Sequence, residues 1–516
     1  MMIDAMTLEA SYHIPPSCNG LAFKNSGIRP EAAAELRKDW TPADACTRID
    51  NNGLQRTHST CTDLRVRVPA TRRALDRVYP WAYPINDGFY VHTMSFAVTS
   101  ACGEVDWRFS APTGTVVLDG EITSAVAERS GATGGGDHMA VILHRQTFNS
   151  ERLHMDAGFT PQGKTFVRST LATVDRELRS ILPGLRFTMP YTLATVAAEG
   201  ETWGDVANLT VMRLHLAANP KPEQQGAMRG FVAHEMAHLV QPAPGAWNDS
   251  WKSSQALIAE GGAEFLSWAI SARNRWATRN ELAETLQRAV TQCLLTSAGK
   301  SWNNIDGREW GRAPYDCGMT FYAIGLAGDL SAMPPLLRLR DYYQAAKSGE
   351  WTNFPHALEC GQTPACTPLW LSRLGGDEAV AAILIDYAKH PGAIFRRGSW
   401  TQPMTDLVRR RYVNRLIQLD CQSMVSVSYK KNLVRVGPGL RCEALREGME
   451  IVKAEGVPIF GNVLGLQASA RSCAERGSTT LGLSNGRNVE LACDNSAYMP
   501  TQIFSVDIDR VLKLTK

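Results

Sequence analysis

From about Asp63 to Phe148 apolar and polar residues alternate in short runs broken by Gly, Pro and Asn, as in DLRVRV, FYVHTMSFAV, GTVVLDG and HMAVILH. A period of two with such breaks predicts short strands, and so a β-rich region. Residues 1–55 are less regular, with one short helix expected over EAAAELRKDW. Near Lys164 the period changes: KTFVRSTLATVDRELRSIL carries apolar residues at helical spacing, and LRFTMPYTLATV and LTVMRLHL follow as strands. Helical patterns then dominate from Ala227 to about Leu374, in GFVAHEMAHLV, ALIAEGGAEFLSWAI, RNELAETLQRAVTQCLL and TFYAIGLAGDL. VRRRYVNRLI, around Arg409, reads as a helix whose basic side is a solvated face. Beyond it the order is strands, helix, strands: VSVSYKKNLVRVG, MEIVKAEGVPIFG, VLGLQASARSC, TTLGLS and RNVELAC. SGATGGGD at 130–137 reads as a flexible loop.

The chain has 516 residues. At roughly 100 to 200 residues per domain that is about three domains, each able to bury its own core. The boundaries drawn from the pattern are 1–160, β-rich; 161–415, mixed α/β and then helical; and 416–516, strands around a helix. Against 54 Lys and Arg stand 51 Asp and Glu, a net charge of +3. So small an excess gives no electrostatic footprint for nucleic acid. With 44% hydrophobic and 20% charged residues the chain is expected to fold rather than stay disordered. No stretch approaches the roughly 18 to 20 apolar residues of a membrane-spanning helix.

Twelve cysteines fall into three even groups: Cys18, Cys46, Cys61 and Cys102; Cys293, Cys317, Cys360 and Cys366; Cys421, Cys442, Cys473 and Cys493. Even numbers within each group are what disulfides inside domains produce, and such bridges persist in oxidising compartments. The N-terminal MMIDAMTLEASYHIPPSC has neither a basic head nor an apolar run, so it does not read as a secretory signal. Two readings stay open: a periplasmic or secreted protein whose signal has been removed, which the cysteine grouping favours, or a cytoplasmic protein with free thiols.

The candidate chemistry lies in His234, Glu235, Met236, Ala237 and His238, an HExxH sequence inside an apolar helical run. Residues four apart lie one above the other on a helix, so both imidazoles can reach one ion while Glu235 points at its water. Catalytic zinc takes three protein ligands and keeps one position open. AEGGAEF supplies two carboxylates one helical turn apart, of which Glu260 is assigned to the metal and Glu264 to a hydrogen bond that fixes the tautomer of one histidine. The swap of those two roles stays open. One Zn2+ per chain would bring the pKa of a bound water toward about 7, with Glu235 as general base and then general acid.

Three further stretches resemble the gluzincin metallopeptidases, in particular the aminopeptidase N-like enzymes and the PDZ-ended glycyl aminopeptidase-type enzymes. WNDSWKSSQALIAEGGAEF at 247–265 is similar to that family's WND…NEGFAEF helix, with a longer gap from the second histidine; the resemblance places the zinc-binding glutamate at Glu260. PYDCG at 314–318 resembles the family's PYEKG segment, with Cys317 where the family has Lys, and implies that Tyr315 donates a hydrogen bond to the tetrahedral intermediate. GDVAN at 204–208 is similar to the GxMEN substrate-edge strand. It implies substrate binding by Gly204, Asp205 and Asn208, but Ala207 stands where the family's glutamate holds the substrate's α-amine. Asp205 or an acid of EGE at 199–201 could substitute. LREGMEIVKAEGVPI at 445–459 resembles a PDZ domain, without a GLGF-type carboxylate loop before the second strand.

The resemblance therefore implies an α+β multidomain protein: an N-terminal β-sandwich-like domain, a thermolysin-like gluzincin catalytic domain and a C-terminal PDZ-like domain. The implied function is an aminopeptidase-like zinc metallopeptidase acting on peptides or proteins, with a peptide as a further ligand of the PDZ-like domain. Ala207 keeps an endopeptidase open, and a catalytically silent PDZ-bearing scaffold is the alternative outside enzymes.

Overall fold

The computed structural model describes residues 1–4, 6–23, 35, 37–50, 53–72, 81–86, 88–99, 105–132, 140–145, 152–197, 202–241, 252–302, 312–327, 334–348, 378–421, 427–430, 432–437 and 442–515. WNDS at 247–250, EGE at 199–201, most of the 130–137 loop, half of EAAAELRKDW (31–34 and 36), and Cys102, Cys360 and Cys366 lie outside them. The chain is a mixed α/β protein that divides into two compact units, Met1–Thr173 with Arg186–Met228, and Val174–Leu185 with Arg229–Lys516.

In the first unit the alternation of DLRVRVP becomes the strand Asp63–Pro69, with Leu64, Val66 and Val68 fully buried. It pairs antiparallel with Thr7–His13 along its whole length and with Thr41–Pro42 on its other side. A second, five-stranded antiparallel sheet has the order Glu121–Ala132, Val105–Leu118, Ala140–His144, Gly88–His92, Ala82–Ile85. Asp119 and Gly120, both at positive φ, close its long hairpin, as a two-residue turn between right-twisted strands requires. Leu64, Val66 and Val68 from one sheet and Phe89, Val91, Val141 and Leu143 from the other share one hydrophobic core, where Trp40 stacks on Phe96 at 5.5 Å. A third sheet, in the order Leu153–Met155, Tyr191–Val196, Val211–Leu216, Trp203–Ala207, is parallel except for the last strand.

Among the described residues of the second unit most are helical. We label Pro161–Ile181, which spans the division, α1, and Pro222–Ala237, which does so too, α2; Lys252–Arg273 is α3, Arg279–Ser297 α4, Ala313–Leu326 α5 and Pro335–Lys347 α6. Val380–Tyr387 is α7 and Gln402–Cys421 α8. α4 begins with a capping box, in which Thr278 and Glu281 each satisfy a backbone N–H of the other. The C-terminal strands run Val427–Lys430, Leu433–Val436, Glu450–Ala454, Ser478–Leu483, Asn488–Ala492, with Val457–Pro458 folded back on Glu450–Ala454. Leu464–Arg476 (α9) lies with this sheet in one core that also takes Val408, Tyr412, Leu416 and Ile417 of α8.

Two features depart from the sequence pattern. Arg409 is not on a solvated face: it is buried, pairs with Asp406 at 2.6 Å and lies 4.2 Å from the centroid of the Phe460 ring. The last strand, Phe504–Val506, pairs with Phe395–Arg397, a contact between segments too far apart in sequence for periodicity to report. Disulfides join Cys46–Cys61, Cys293–Cys317, Cys421–Cys442 and Cys473–Cys493, each within one of the three sequence groups, and Cys18 is disulfide-bonded as well. Among the described residues no helix is long and apolar enough to cross a membrane.

Candidate metal centre

His234 lies in the last turn of α2, and His238 opens the 3-10 turn His238–Val240 that follows it. The i,i+4 spacing sets the two rings 5.1 Å apart at 85°. Each presents Nε2 to the same oxygen of Glu260 on α3, at 3.3 Å from His234 and 3.7 Å from His238. One ligand atom from each of the three falls within 4.8 Å of the others. Two imidazoles and one carboxylate in a largely buried cluster are a donor set that zinc accepts with a position to spare. Asp420, Cys421 and Cys442 also converge, but Cys421 and Cys442 are joined as a disulfide and offer no thiolate.

The two glycines of AEGGAEF explain how α3 holds Glu260 there. Mid-helix glycines each cost about 0.5–1 kcal/mol relative to alanine, so a close approach must require them. A Cβ on Gly261 would stand 2.2 Å from the Cα of Gly318 on α5, and one on Gly318 would stand 2.4 Å from the carbonyl oxygen of Leu257. α3 and α5 thus cross backbone to backbone, which sets Tyr315 beside Glu260. The Tyr315 hydroxyl donates a hydrogen bond to that carboxylate, and its ring stacks on His234 at 5.8 Å. Cys317, two residues beyond Tyr315, ties α5 to Cys293 on α4.

Glu235, buried at 6% exposure, acts electrostatically on both His234 and Tyr315. Burial opposes the charged form of His234, but Glu260, Glu235 and Glu264 outweigh it and hold its pKa above the usual value. For His238 burial prevails, helped by His234, and its pKa is lowered. Burial also works against the Glu260 carboxylate, yet the two histidines and Tyr315 bring its pKa below the usual value. The Tyr315 hydroxyl is pushed well up, first by burial and then by Glu260 and Glu235, so it stays protonated and can donate.

Glu264 lies 4.0 Å from His234 Nδ1, too far for the direct hydrogen bond expected from the sequence. Its Oε1 is held instead by Arg312 at 2.8 Å. Arg312 also lies 5.0 Å from the centroid of the Tyr315 ring and 3.8 Å from Asp316, whose pKa burial raises to about 7 against the pull of Arg312. Sequence reasoning missed Arg312 and a second group, Gln241, whose Oε1 lies 3.0 Å from His238 Nδ1.

Gly204, Asp205 and Asn208 belong to the first unit. Gly204 pairs with Leu214 and Asp205 with Arg213 across the hairpin. Both carboxylate oxygens of Asp205 accept from Arg213, whose guanidinium lies 3.8 Å from the centroid of the Tyr90 ring. Asn208 and Leu209, both at positive φ, form the turn, and Asn208 donates to Asp119 at 3.4 Å.

No family model matches the chain, and no curated protein matches it either. Among solved structures it is similar to an aminopeptidase N family protein from Idiomarina loihiensis, at 12% identity and a TM-score of 0.47, over 99% of this chain and 97% of that one. It is also similar to an M1 zinc metallopeptidase from Deinococcus radiodurans, at 11% identity and a TM-score of 0.36, over 68% of this chain and 81% of that one.

Proposed function

We propose that this chain is a zinc metallopeptidase in which His234, His238 and Glu260 hold one zinc ion. The observation that carries the reading is the convergence of two imidazole Nε2 atoms on one Glu260 carboxylate oxygen beside the buried Glu235. Zinc, when bound, supplies a Lewis acid for the substrate carbonyl and lowers the pKa of a water molecule. Glu235 takes a proton from the attacking water and returns it to the nitrogen of the departing amine. Tyr315, kept neutral, donates its hydroxyl to the carbonyl oxygen as negative charge develops there. Glu264, fixed by Arg312, stands 4.0 Å from His234 Nδ1 and favours a proton on that nitrogen, which leaves Nε2 free to hold the metal.

An exposed backbone edge lets a peptide add as a further strand. We assign that role to Trp203–Ala207, with Gly204, Asp205 and Asn208 shaping the edge. Aminopeptidase-like action is the first reading. The engagement of Asp205 by Arg213 and the alanine at 207 favour a second, internal cleavage, because neither residue offers a free carboxylate to a substrate amine. The C-terminal sheet and α9 form the PDZ-like part, with a peptide as its ligand. Its disulfides, and those of the other parts, support a periplasmic or secreted location.

Metal analysis after exhaustive dialysis tests the metal reading. One zinc ion per chain is expected for the wild type, and substoichiometric zinc for His238→Ala and Glu260→Ala. A wild type that retains no zinc, or variants that retain it fully, would overturn the reading. Tyr315→Phe is expected to lower kcat about 100- to 1,000-fold, the cost of losing one oxyanion donor, with KM changed only a few-fold. Steady-state kinetics on a cleaved peptide separates the two constants.

A further inference from the structure

Gln241 is 2% exposed, and its amide makes contacts on both sides. Nε2 donates to the carbonyl oxygen of Ala259 at 2.7 Å, one residue before Glu260. Nε2 also donates to the hydroxyl of Tyr343. Tyr343 donates to Tyr322 at 3.4 Å, and Tyr322 donates to the carbonyl oxygen of Ile258 at 3.1 Å. Gly262 leaves room for this cluster: a Cβ there would meet Tyr343 Oη at 2.5 Å, Gln241 Nε2 at 2.8 Å and Tyr322 Oη at 2.9 Å.

The direction of every bond in the cluster follows from its ends. A carbonyl oxygen only accepts, so Ala259 requires the NH2 side of the Gln241 amide, and Ile258 requires the hydroxyl hydrogen of Tyr322. The acceptor Oε1 of Gln241 is then turned toward His238 Nδ1, 3.0 Å away, and that contact is a hydrogen bond only if Nδ1 carries the proton. In a neutral imidazole the lone pair is left on Nε2, the atom that faces Glu260.

We propose that Gln241 is a positioning residue for the metal centre. Its amide fixes His238 as the Nδ1–H tautomer, and its hold on the Ala259 carbonyl ties the His238-bearing turn to the α3 segment that carries Glu260. One side chain thereby sets two of the three ligands relative to each other. The inference rests on the reading of this site as a metal centre. It also gives the second glycine of AEGGAEF a reason of its own, since Gln241, Tyr322 and Tyr343 occupy the space beside Gly262 that a side chain would need.

The first test uses wild-type protein without metal, labelled with 15N-histidine. Long-range 1H–15N spectra, with His238 assigned by its loss in His238→Ala, should show the Nδ1–H tautomer; the Nε2–H tautomer would overturn the proposal. The second test compares zinc affinity, by competition with a chromogenic chelator, and the visible spectrum of the cobalt-substituted protein. Gln241→Met removes both the acceptor and the donor and is expected to weaken zinc binding about 10- to 100-fold and alter the cobalt bands. Gln241→Glu keeps the acceptor toward Nδ1 but loses the donor to the Ala259 carbonyl, so its zinc affinity should fall between those of Gln241→Met and the wild type, whatever its melting temperature. Wild-type affinity in Gln241→Met, or equal losses in both variants, would overturn the proposal. A wild type that binds no zinc would instead defeat the metal reading, and the tautomer would still be measurable.

Discussion

Glu235→Gln should abolish peptide hydrolysis while leaving the fold and the zinc content intact. The amide matches the carboxylate in shape but cannot take a proton from water or return one to an amine, and that general-base step contributes about 100- to 10,000-fold. Glu235 is not one of the three residues whose ligand atoms converge, so the donor set survives the change. Replacing a buried charge by a neutral amide should also not lower the melting temperature. Kinetics, zinc analysis and thermal unfolding on one preparation check all three. A variant that keeps more than a tenth of the wild-type kcat would remove Glu235 from its assigned role.

The second large effect is structural. Gly318→Ala puts a Cβ 2.4 Å from the Leu257 carbonyl oxygen and 2.5 Å from the Gly261 Cα, and backbone atoms cannot move aside as a flexible side chain does. α3 and α5 must separate, at a cost of about 3 kcal/mol or more, the upper end for overpacking. Because α5 carries Tyr315 and α3 carries Glu260, the separation also misplaces the site. A displacement of about 1 Å is enough to cost on the order of 100-fold in rate. Gly230→Ala on α2 is the control: its nearest neighbours would be the Ser271 and Ser267 hydroxyls at 3.4 and 3.5 Å, ordinary contacts. It should be neutral or stabilising by up to about 1 kcal/mol through helix propensity. Urea unfolding of the two variants decides the comparison, and equal stability would refute the close crossing of α3 and α5.

The parts of the fold and site that were legible in the sequence are those set by local spacing. His234 and His238 meet because four residues make about one helical turn. The C-terminal hairpins were legible because alternation and turn residues such as Glu455 and Gly456, both at positive φ, lie next to each other in the chain. AEGGAEF and PYDCG stood out as motifs, yet nothing local says that Gly261 and Gly318 touch, since that contact joins two helices. Gln241 ends an apolar run, where a polar residue reads as the end of a helix and not as the partner of a histidine. Arg312 precedes α5 with no periodicity around it, and its worth lies entirely in its reach to Glu264. Arg409 misled because a charge run normally lies in water, whereas here Asp406 one turn away and the ring of Phe460 allow it to be buried. Spacing predicts that Glu264 accepts a hydrogen bond from one of the two histidines, and spacing does not reveal that Arg312 holds its oxygen instead.

The most direct measurement is hydrolysis of a mixed peptide library read by mass spectrometry, with zinc-loaded wild type, chelator-stripped wild type and zinc-loaded Glu235→Gln side by side. Cleavage by the zinc-loaded wild type alone is the expected result. Trimming from N-termini would make it an aminopeptidase, and internal cuts an endopeptidase. No cleavage by the wild type, or the same cleavage by Glu235→Gln, would contradict the zinc metallopeptidase reading.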